Sequence, residues 1–324
     1  MTKENEKNKK LKILENTIKS QIIGQESLIE NLLVCLLADG HMLIEGMPGL
    51  AKTTAAKAVA EGIEGDFHRI QFTPDLLPSD LIGTEIYTHE TESFTFREGP
   101  LFNNIILADE INRSPAKVQS ALLEAMAERQ VTIGHKTYQL PELYMVLATQ
   151  NPVEQEGTYH LPEAQLDRFL MYVVVNYPTF EEELKIIDLD TNKLGKDKKK
   201  KLVASTSQQE IFDARTAVHQ MHISDSLKEY IASLVMASRK SKQYDSRLAD
   251  WIMHGASPRA TLALIRCAKA LAWLRNDEYV TPTHIQVMTP YVLAHRIILT
   301  FEAEAKAISR NDIIARLLEV VAVP

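Results

Sequence analysis

The sequence GMPGLAKTT at residues 46–54 decides the fold of this chain. It follows the apolar stretch HMLIE at 41–45 and precedes the Ala-rich stretch AAKAVAEG at 55–62, a pattern that predicts a strand, a loop and a helix. Gly46 and Gly49 allow the backbone to turn tightly, with its N–H groups facing an anion. The start of the helix adds partial positive charge. The segment therefore predicts a loop that binds the phosphates of a nucleotide.

The side chains of this loop suit a nucleoside triphosphate with Mg²⁺. Lys52 is expected to reach the β- and γ-phosphates, and the hydroxyl of Thr53 is expected to bind the metal. The residue before the lysine, commonly glycine in such loops, is Ala51, which restricts the backbone there. A Gly-Pro turn beside a surface lysine is the alternative. The predicted nucleotide-binding residues of the loop are Gly46, Pro48, Gly49, Leu50, Ala51, Lys52, Thr53 and Thr54.

A second segment, NNIILAD at 103–109, ends an apolar strand with Asp109 and is followed at once by Glu110. Two adjacent carboxylates are costly at this place unless they contact a cation, polar donors or water. The carboxyl ends of parallel strands face the crevice where ligands bind. Asp109 is expected to hold Mg²⁺, directly or through water, and Glu110 to orient and deprotonate the attacking water. An exposed pair at a strand end is the alternative.

Five short apolar stretches predict a parallel sheet with helical crossovers between its strands. Most of them are almost continuously apolar, as expected of strands that are buried on both faces. The predicted strands are 41–45, 67–72, 103–109, 143–149 and 169–175. From Glu181 onward the sequence shows only helical periodicity, and the run GKDKKKK at 195–201 is interpreted as a solvated loop. We therefore expect an α/β core followed by a helical region.

The composition limits the class of protein. The chain has 324 residues, of which 45% are hydrophobic and 24% charged, as in ordinary globular proteins of about two domains. The net charge of −7 gives no overall attraction to nucleic acid. We expect neither a membrane span nor a signal peptide, because no apolar stretch is long enough and the N-terminus is charged. The two cysteines, Cys35 and Cys267, lie in apolar helical segments, so reduced thiols in the cytoplasm are expected.

Four segments together resemble the MoxR family of AAA+ ATPases. They are GMPGLAKT at 46–53, ILADEINRSPAKVQSALLEAMAERQVTI at 106–133, LATQNPVEQEGTYHLPEAQLDRFLM at 147–171 and GASPRATLAL at 255–264. The similarity extends over nearly the whole chain. It implies an α/β P-loop NTPase core of the AAA+ type, with a five-stranded parallel sheet in the order 5-1-4-3-2, a C-terminal all-helical lid and a hexameric ring. The implied boundaries are a charged helical lead-in at 1–20, the core at 21–180 and the lid at 181–324.

The resemblance also implies further site residues. Asn151 matches the sensor-1 residue that positions the attacking water, and Arg168 matches the arginine finger that reaches the nucleotide of a neighbouring subunit. Arg259 matches the sensor-2 arginine of the lid, and Gln25 matches the stretch that packs near the adenine. The alternative for Asn151 is a turn residue before Pro152, and the alternative for Arg168 is a local ion pair with Asp167 or another carboxylate.

Two other segments resemble inserts of the clade that contains the MoxR and Mg-chelatase ATPases. They are 84–102, with the aromatic residues Tyr87, Phe94 and Phe96, and the hairpin at 131–140. Such inserts face the pore of the ring or its clients. The alternative is that the aromatic side chains pack only within their own hairpins.

The function implied by the resemblance is Mg²⁺-dependent hydrolysis of ATP that drives chaperone-like remodelling or maturation of protein complexes. The implied partners are further copies of the chain in a ring and a protein client, for which a von Willebrand A-domain protein is a candidate; nucleic acid and membrane insertion are not expected. A guanine-reading Asn-Lys-x-Asp motif is lacking: the nearest run, at 192–195, has glycine where the aspartate is needed, so ATP is favoured. A nucleotide-gated scaffold with little turnover and a nucleic-acid motor are the alternatives.

Overall fold

The computed structural model describes residues 3–19, 22–47, 49–50, 52–89, 92–134, 136–152, 158–193 and 206–324. The strands are β1 (Met42–Gly46), β2 (Phe67–Gln71), β3 (Gly83–Thr88), β4 (Ser93–Glu98), β5 (Ile105–Asp109), β6 (Gln130–Ile133), β7 (Lys136–Gln139), β8 (Met145–Gln150), β9 (Met171–Val175), β10 (Ile252–His254) and β11 (Ile298–Leu299). The helices are α1 (Lys3–Lys19), α2 (Glu26–Leu37), α3 (Lys52–Glu61), α4 (Pro78–Ile82), α5 (Ala116–Glu128), α6 (Glu163–Leu166), α7 (Phe180–Lys193), α8 (Gln208–Gln220), α9 (Asp225–Arg239), α10 (Ser241–Tyr244), α11 (Ser246–Trp251), α12 (Pro258–Leu274), α13 (Pro282–Leu293), α14 (Phe301–Ala305) and α15 (Arg310–Val320).

The central sheet has five parallel strands in the order β2-β5-β8-β1-β9. When these strands alone are numbered along the chain and read from β9, the order is 5-1-4-3-2, so the predicted topology is confirmed. β5 is buried along its whole length, and β1 and β8 along nearly all of theirs, because helices cover both faces of the sheet. β2 lies at an edge and exposes most of its side chains, which explains its polar sequence FHRIQ.

One continuous apolar cluster joins the sheet to the helical region. It contains Leu11 and Ile18 of α1, most of α2, the face of the sheet against which they pack, and the buried side of α12. Because α1 contributes to this cluster, the charged N-terminal segment is packed along one side. The domain boundaries inferred above stay a prediction.

Helices make up most of the described C-terminal region, which also contains a short strand pair that the sequence did not predict. β10 and β11 form a short antiparallel pair in which Ile252 lies opposite Leu299. Five residues in all make up these strands, which is too short for a pattern that alternates along a strand to be distinguished from a loop. The lysine run at 198–201 lies outside the described residues.

Both predicted hairpins are present: β3 pairs with β4, and β6 pairs with β7. The rings of Tyr87 and Phe94 contact each other, with centroids 5.2 Å apart. Phe96 packs outside its own hairpin, 4.3 Å from the ring of Tyr138 on β7. The aromatic residues therefore join the two hairpins, while Phe94 at the end of the first remains 65% exposed.

The described part of the chain contains no helix with the length and apolar character that crossing a bilayer requires.

His41 is a buried histidine directly before β1. The backbone N–H of Val146 donates to its Nδ1 at 3.0 Å, so Nε2 carries the proton and donates to the carbonyl of Met126 at 3.2 Å. Burial lowers the pKa of His41 from 6.5 to about 4, because the charged form loses its hydration. The neutral ring thus joins α5 to β8 at the amino-terminal edge of the sheet.

This histidine makes the fold sensitive to acid. Between pH 6.5 and pH 4 the unfolded chain binds a proton at His41 and the folded chain does not, so stability is complete above pH 6.5 and falls as the pH drops. We expect the free energy of unfolding to lose about 2 kcal/mol from this group between pH 7 and pH 5. In denaturant unfolding of His41→Gln, the decrease in the free energy of unfolding between pH 7 and pH 5 should be smaller than in the wild type by that amount. The exposed His68→Gln should follow the wild type; equal losses in all three would contradict the prediction.

Candidate nucleotide site

The loop after β1 has the backbone that a phosphate site requires. A Cβ on Gly46 would lie 2.8 Å from the carbonyl oxygen of Val175, so the close pairing of β1 with β9 excludes a larger residue. Gly49 has a φ of +85°, a conformation that favours glycine. Leu50 is buried, whereas Pro48 and Ala51 lie outside the described residues.

Lys52 begins α3, and its side chain is buried at the end of the sheet. Its ammonium donates to the carbonyl of Gly46 and, at 3.3 Å, to the carbonyl of Gln150. The lysine thus connects the ends of β1 and β8, which are neighbours in the sheet. Thr53 and Thr54 follow it in the first turn of α3, where the helix dipole favours negative charge.

Asp109 ends β5 on the same edge and is almost completely buried. One of its carboxylate oxygens, Oδ1, accepts a hydrogen bond of 2.6 Å from the hydroxyl of Thr149 on β8. The other accepts from Arg69 on β2, at 3.0 Å from Nε and 2.6 Å from Nη2. Three adjacent strands therefore meet at this carboxylate.

Glu110 has a left-handed backbone, with a φ of 58°, which is uncommon for a residue with a side chain. Its N–H donates to the hydroxyl of Thr149 at 2.9 Å, so this one threonine holds both acidic residues. Its carboxylate accepts from Gln71 at 2.7 Å and from Arg113 at 3.0 Å. Both of these hydrogen bonds go to the same oxygen atom of the carboxylate, Oε2.

Two further predicted residues lie at the same edge of the sheet. Asn151 is buried directly after β8, the strand between β1 and β5. Gln25 precedes α2, and its amide donates to the carbonyl of Asn176 at 3.4 Å, just beyond the end of β9. The fold therefore gathers the loop, both carboxylates, Asn151 and Gln25 at the carboxyl ends of the strands.

Arg168 and Arg259 lie at the opposite edge. The N–H of Leu170 donates to the carbonyl of His41, which places the segment around Arg168 at the start of β1, roughly 16 Å along the strand from Gly46. Arg168 donates to the carbonyl of Leu123 at 2.6 Å and not to Asp167, whereas Arg259 lies 3.7 Å from the Asp167 carboxylate. Both arginines line one cavity of about 360 Å³.

The oxygen atoms of Thr53 and Asp109 are hard ligands of the kind that Mg²⁺ prefers. Mg²⁺ usually binds one or two carboxylates and completes its shell with phosphate and water. Within the described residues, no group of three or more His, Cys, Asp or Glu side chains could hold a metal by itself. The hydroxyl of Thr53 and the carboxylate of Asp109 suit a magnesium ion that completes its shell with phosphate and water.

Three polar residues of the site escaped the sequence analysis. Thr149 is a polar residue that follows the apolar run of β8 and stands two positions before Asn151, which is the signal that could have identified it. Arg69 and Gln71 are two residues apart on β2 and so share one face of the strand. They alternate with apolar Ile70, but the sequence alone does not reveal that their face meets Asp109 and Glu110.

Comparison with known proteins agrees with this arrangement. Residues 41–171 match the model of the ATPase family associated with various cellular activities (AAA), and residues 245–317 match the AAA lid domain. The chain is 47% identical to Chaperone MoxR1 of Mycobacterium tuberculosis, covering 95% of this chain and 80% of the relative. It is 31% identical to Protein MoxR of Methylorubrum extorquens, covering 88% and 86%. The chain also superposes on a crystal structure from Cytophaga hutchinsonii that is described provisionally as an ATPase. The TM-score is 0.91 and the sequence identity is 46%, and the superposition covers 99% of this chain and 97% of the other.

The position of Thr149 generates a prediction about stability. Thr149→Val keeps the shape of the side chain but leaves the N–H of Glu110 and one oxygen of Asp109 without their partner. We expect the free energy of unfolding to fall by about 1–3 kcal/mol, the cost of leaving such groups unsatisfied. Denaturant unfolding measures this loss. The exposed Thr132→Val is the matched control, expected within about 0.5 kcal/mol of the wild type; a Thr149→Val protein as stable as that control would refute the assignment.

Proposed function

Because the chain belongs to the MoxR family of AAA+ ATPases, we propose that it hydrolyses ATP with Mg²⁺ and uses the reaction to remodel or mature protein complexes. The observation that carries this proposal is the meeting of Lys52, Asp109 and Glu110 at one edge of the sheet. A basic side chain and two acidic ones at neighbouring strand ends form the arrangement that phosphoryl transfer to water uses.

In the proposed reaction, Lys52 exchanges its carbonyl contacts for the β- and γ-phosphates. Thr53 and Asp109 would hold Mg²⁺, which neutralises charge on the phosphates when it is bound. Glu110 accepts a proton from the attacking water, while Asn151 helps to align that water. Gln25 would lie beside the adenine.

Arg168 and Arg259 are proposed to act on the nucleotide of a neighbouring subunit. Their place at the edge remote from Lys52 supports this role, because a head-to-tail contact brings opposite edges of two copies together and closes into a ring. A ring, which we propose to be a hexamer, would also cover the apolar side chains that α7 exposes. Phe180 is 74% exposed, and Leu184 and Ile187 follow on the same face of the helix.

A protein client is supported by the chaperone name of the mycobacterial relative and by the exposed Phe94 on the first hairpin. A von Willebrand A-domain protein remains a candidate client. The net charge of −7 favours a protein over a nucleic acid. Both cysteines are free and buried, which supports the cytoplasm as the compartment.

One observation favours a second candidate function, a nucleotide-gated scaffold with little turnover. One of the two Glu110 carboxylate oxygens, Oε2, is engaged by Gln71 and Arg113, which leaves fewer positions from which Glu110 can accept the proton of a water molecule. Phosphate release measured with and without the client separates the two functions: a scaffold stays slow in both conditions, whereas a remodeller is stimulated.

Substitutions at the phosphate loop and the acidic strand end test the ATPase proposal. Lys52→Ala should abolish ATP binding, because it removes the cation that reaches the phosphates. Glu110→Gln should keep ATP bound and slow hydrolysis by about two to four orders of magnitude, because it removes the base. Calorimetry and steady-state phosphate release measure these effects, with Lys57→Ala and Glu64→Gln as exposed controls. Hydrolysis at the wild-type rate by the Glu110→Gln protein would exclude the assigned base.

The cross-subunit role of Arg168 is tested by mixing two inactive variants. Arg168→Ala should lower turnover by about three to five orders of magnitude, the usual contribution of an arginine finger. When it is mixed with Lys52→Ala, some activity should return, because a Lys52→Ala subunit supplies an intact finger to a neighbour that still binds ATP. Lack of recovery at every mixing ratio would contradict catalysis across an interface.

A further inference from the structure

Arg296 is a buried arginine that neither the motifs nor the proposed chemistry uses. It ends the short 3₁₀ turn Ala294–Arg296 after α13, and its side chain is only 2% exposed. Its guanidinium donates to five oxygen atoms: Asp167 Oδ1 at 2.8 Å, the Phe169 carbonyl at 2.6 Å, the Leu170 carbonyl at 3.2 Å, the Asp167 carbonyl at 3.3 Å and the Val292 carbonyl. Four of these five acceptors belong to residues 167–170, the segment that contains Arg168.

The guanidinium suits this place because of its shape. Arginine carries five N–H donors in a rigid, planar fork, whereas the ammonium of lysine is a single point of charge. Here the guanidinium donates to backbone carbonyls on both sides of Arg168. The neighbouring His295 adds a contact of 3.2 Å between its Nε2 and the Phe169 carbonyl. A buried ion pair is weak evidence for stability, because desolvation offsets much of its attraction. The arrangement is therefore better explained by the geometry that it imposes on the segment.

The carboxylate of Asp167 extends the connection to the helix that carries Arg259. Its Oδ1 accepts from Arg296, and its Oδ2 accepts from the hydroxyl of Ser257 at 2.8 Å. Ser257 is the N-cap of α12, and Arg259 lies in the first turn of that helix, 3.7 Å from the same Oδ2 atom. The Asp167 carboxylate, next to Arg168 in the chain, thus links Arg296 to the start of the helix that carries Arg259.

We propose that Arg296 is a positioning residue that fixes the Arg168 segment to the helical region, so that Arg168 and Arg259 approach the neighbouring nucleotide as one unit. The inference rests on the proposed function, because it assumes that Arg168 acts across a subunit interface. Arg296 itself lies at the amino-terminal edge of the sheet, away from Lys52 and the phosphate site of its own chain. Its loss should therefore impair the donation of the finger and leave the binding of ATP by the same subunit intact.

Arg296→Lys tests this role, because it keeps the charge and removes the fork. We expect kcat to fall at least tenfold, while the affinity of the subunit for ATP changes less than twofold. Mixed rings then identify the defect. Lys52→Ala subunits should restore activity to Arg296→Lys, because they supply intact fingers. Arg168→Ala subunits should not, because neither variant then supplies an effective finger.

Other results would overturn the inference. Turnover at the wild-type rate would show that the fork is dispensable. If Arg168→Ala subunits restore activity to Arg296→Lys but Lys52→Ala subunits do not, the defect lies in the nucleotide site of the Arg296→Lys subunit itself. If neither restores activity, the substitution causes a general structural defect. The exposed Arg247→Lys is the matched control and should hydrolyse ATP as the wild type does.

Two comparisons keep the test decisive. If Arg296→Lys does not fold, as judged by thermal unfolding, Asp167→Asn takes its place, because it weakens the same connection without removing the buried arginine. It is expected to show the same pattern of rescue, and any other pattern overturns the inference. Wild-type hydrolysis and rescue between Lys52→Ala and Arg168→Ala serve as references. If the wild type does not hydrolyse ATP, or if Lys52→Ala and Arg168→Ala do not rescue each other, the proposed function is contradicted. If both references behave as expected but the Arg296 variant shows another pattern of rescue, only the present inference is contradicted.

Discussion

The continuous burial of three central strands is the constraint on which the site depends. β5, β8 and β1 are covered on both faces, so their side chains have to be apolar until the strand ends. Charged and polar groups therefore collect at the carboxyl ends of the strands. Since the strands are parallel and adjacent, these groups emerge side by side at one edge. The contacts of Thr149 with Asp109 and Glu110 follow from this geometry.

The features that were predictable from the sequence are those that depend on local pattern. They are the loop at 46–54, the acidic end of β5 and the apolar runs of the five strands. Each is a contiguous stretch whose residue types alone indicate its structure. The order of the strands came from the family resemblance, because neither apolar runs nor turn signals encode which strands are neighbours. β10 and β11 were missed, since strands of two or three residues have no periodicity to detect.

The partners of the site residues depend on contacts that are distant in the chain, and the sequence did not reveal them. Asp109 was expected at a metal, but its contacts with Arg69 on β2 and Thr149 on β8 require the sheet to be assembled first. Arg168 offers the same lesson. Its neighbour Asp167 is the natural ion-pair partner by sequence, yet the Asp167 carboxylate is engaged by Arg296 from the helical region, and Arg168 turns to a backbone carbonyl instead.

Three of the proposed catalytic groups have hydrogen-bond partners within the chain. Lys52 donates to two carbonyl oxygens, Glu110 accepts from Gln71, and Arg168 donates to Leu123. A buried polar group without a partner is costly, so these contacts stabilise the folded chain in isolation. In the proposed reaction, phosphate would replace the carbonyl contacts of Lys52, and the nucleotide of a neighbour would replace the contact of Arg168. On the proposed function, these contacts would be exchanged only where nucleotide and neighbour are both present, which would link turnover to assembly.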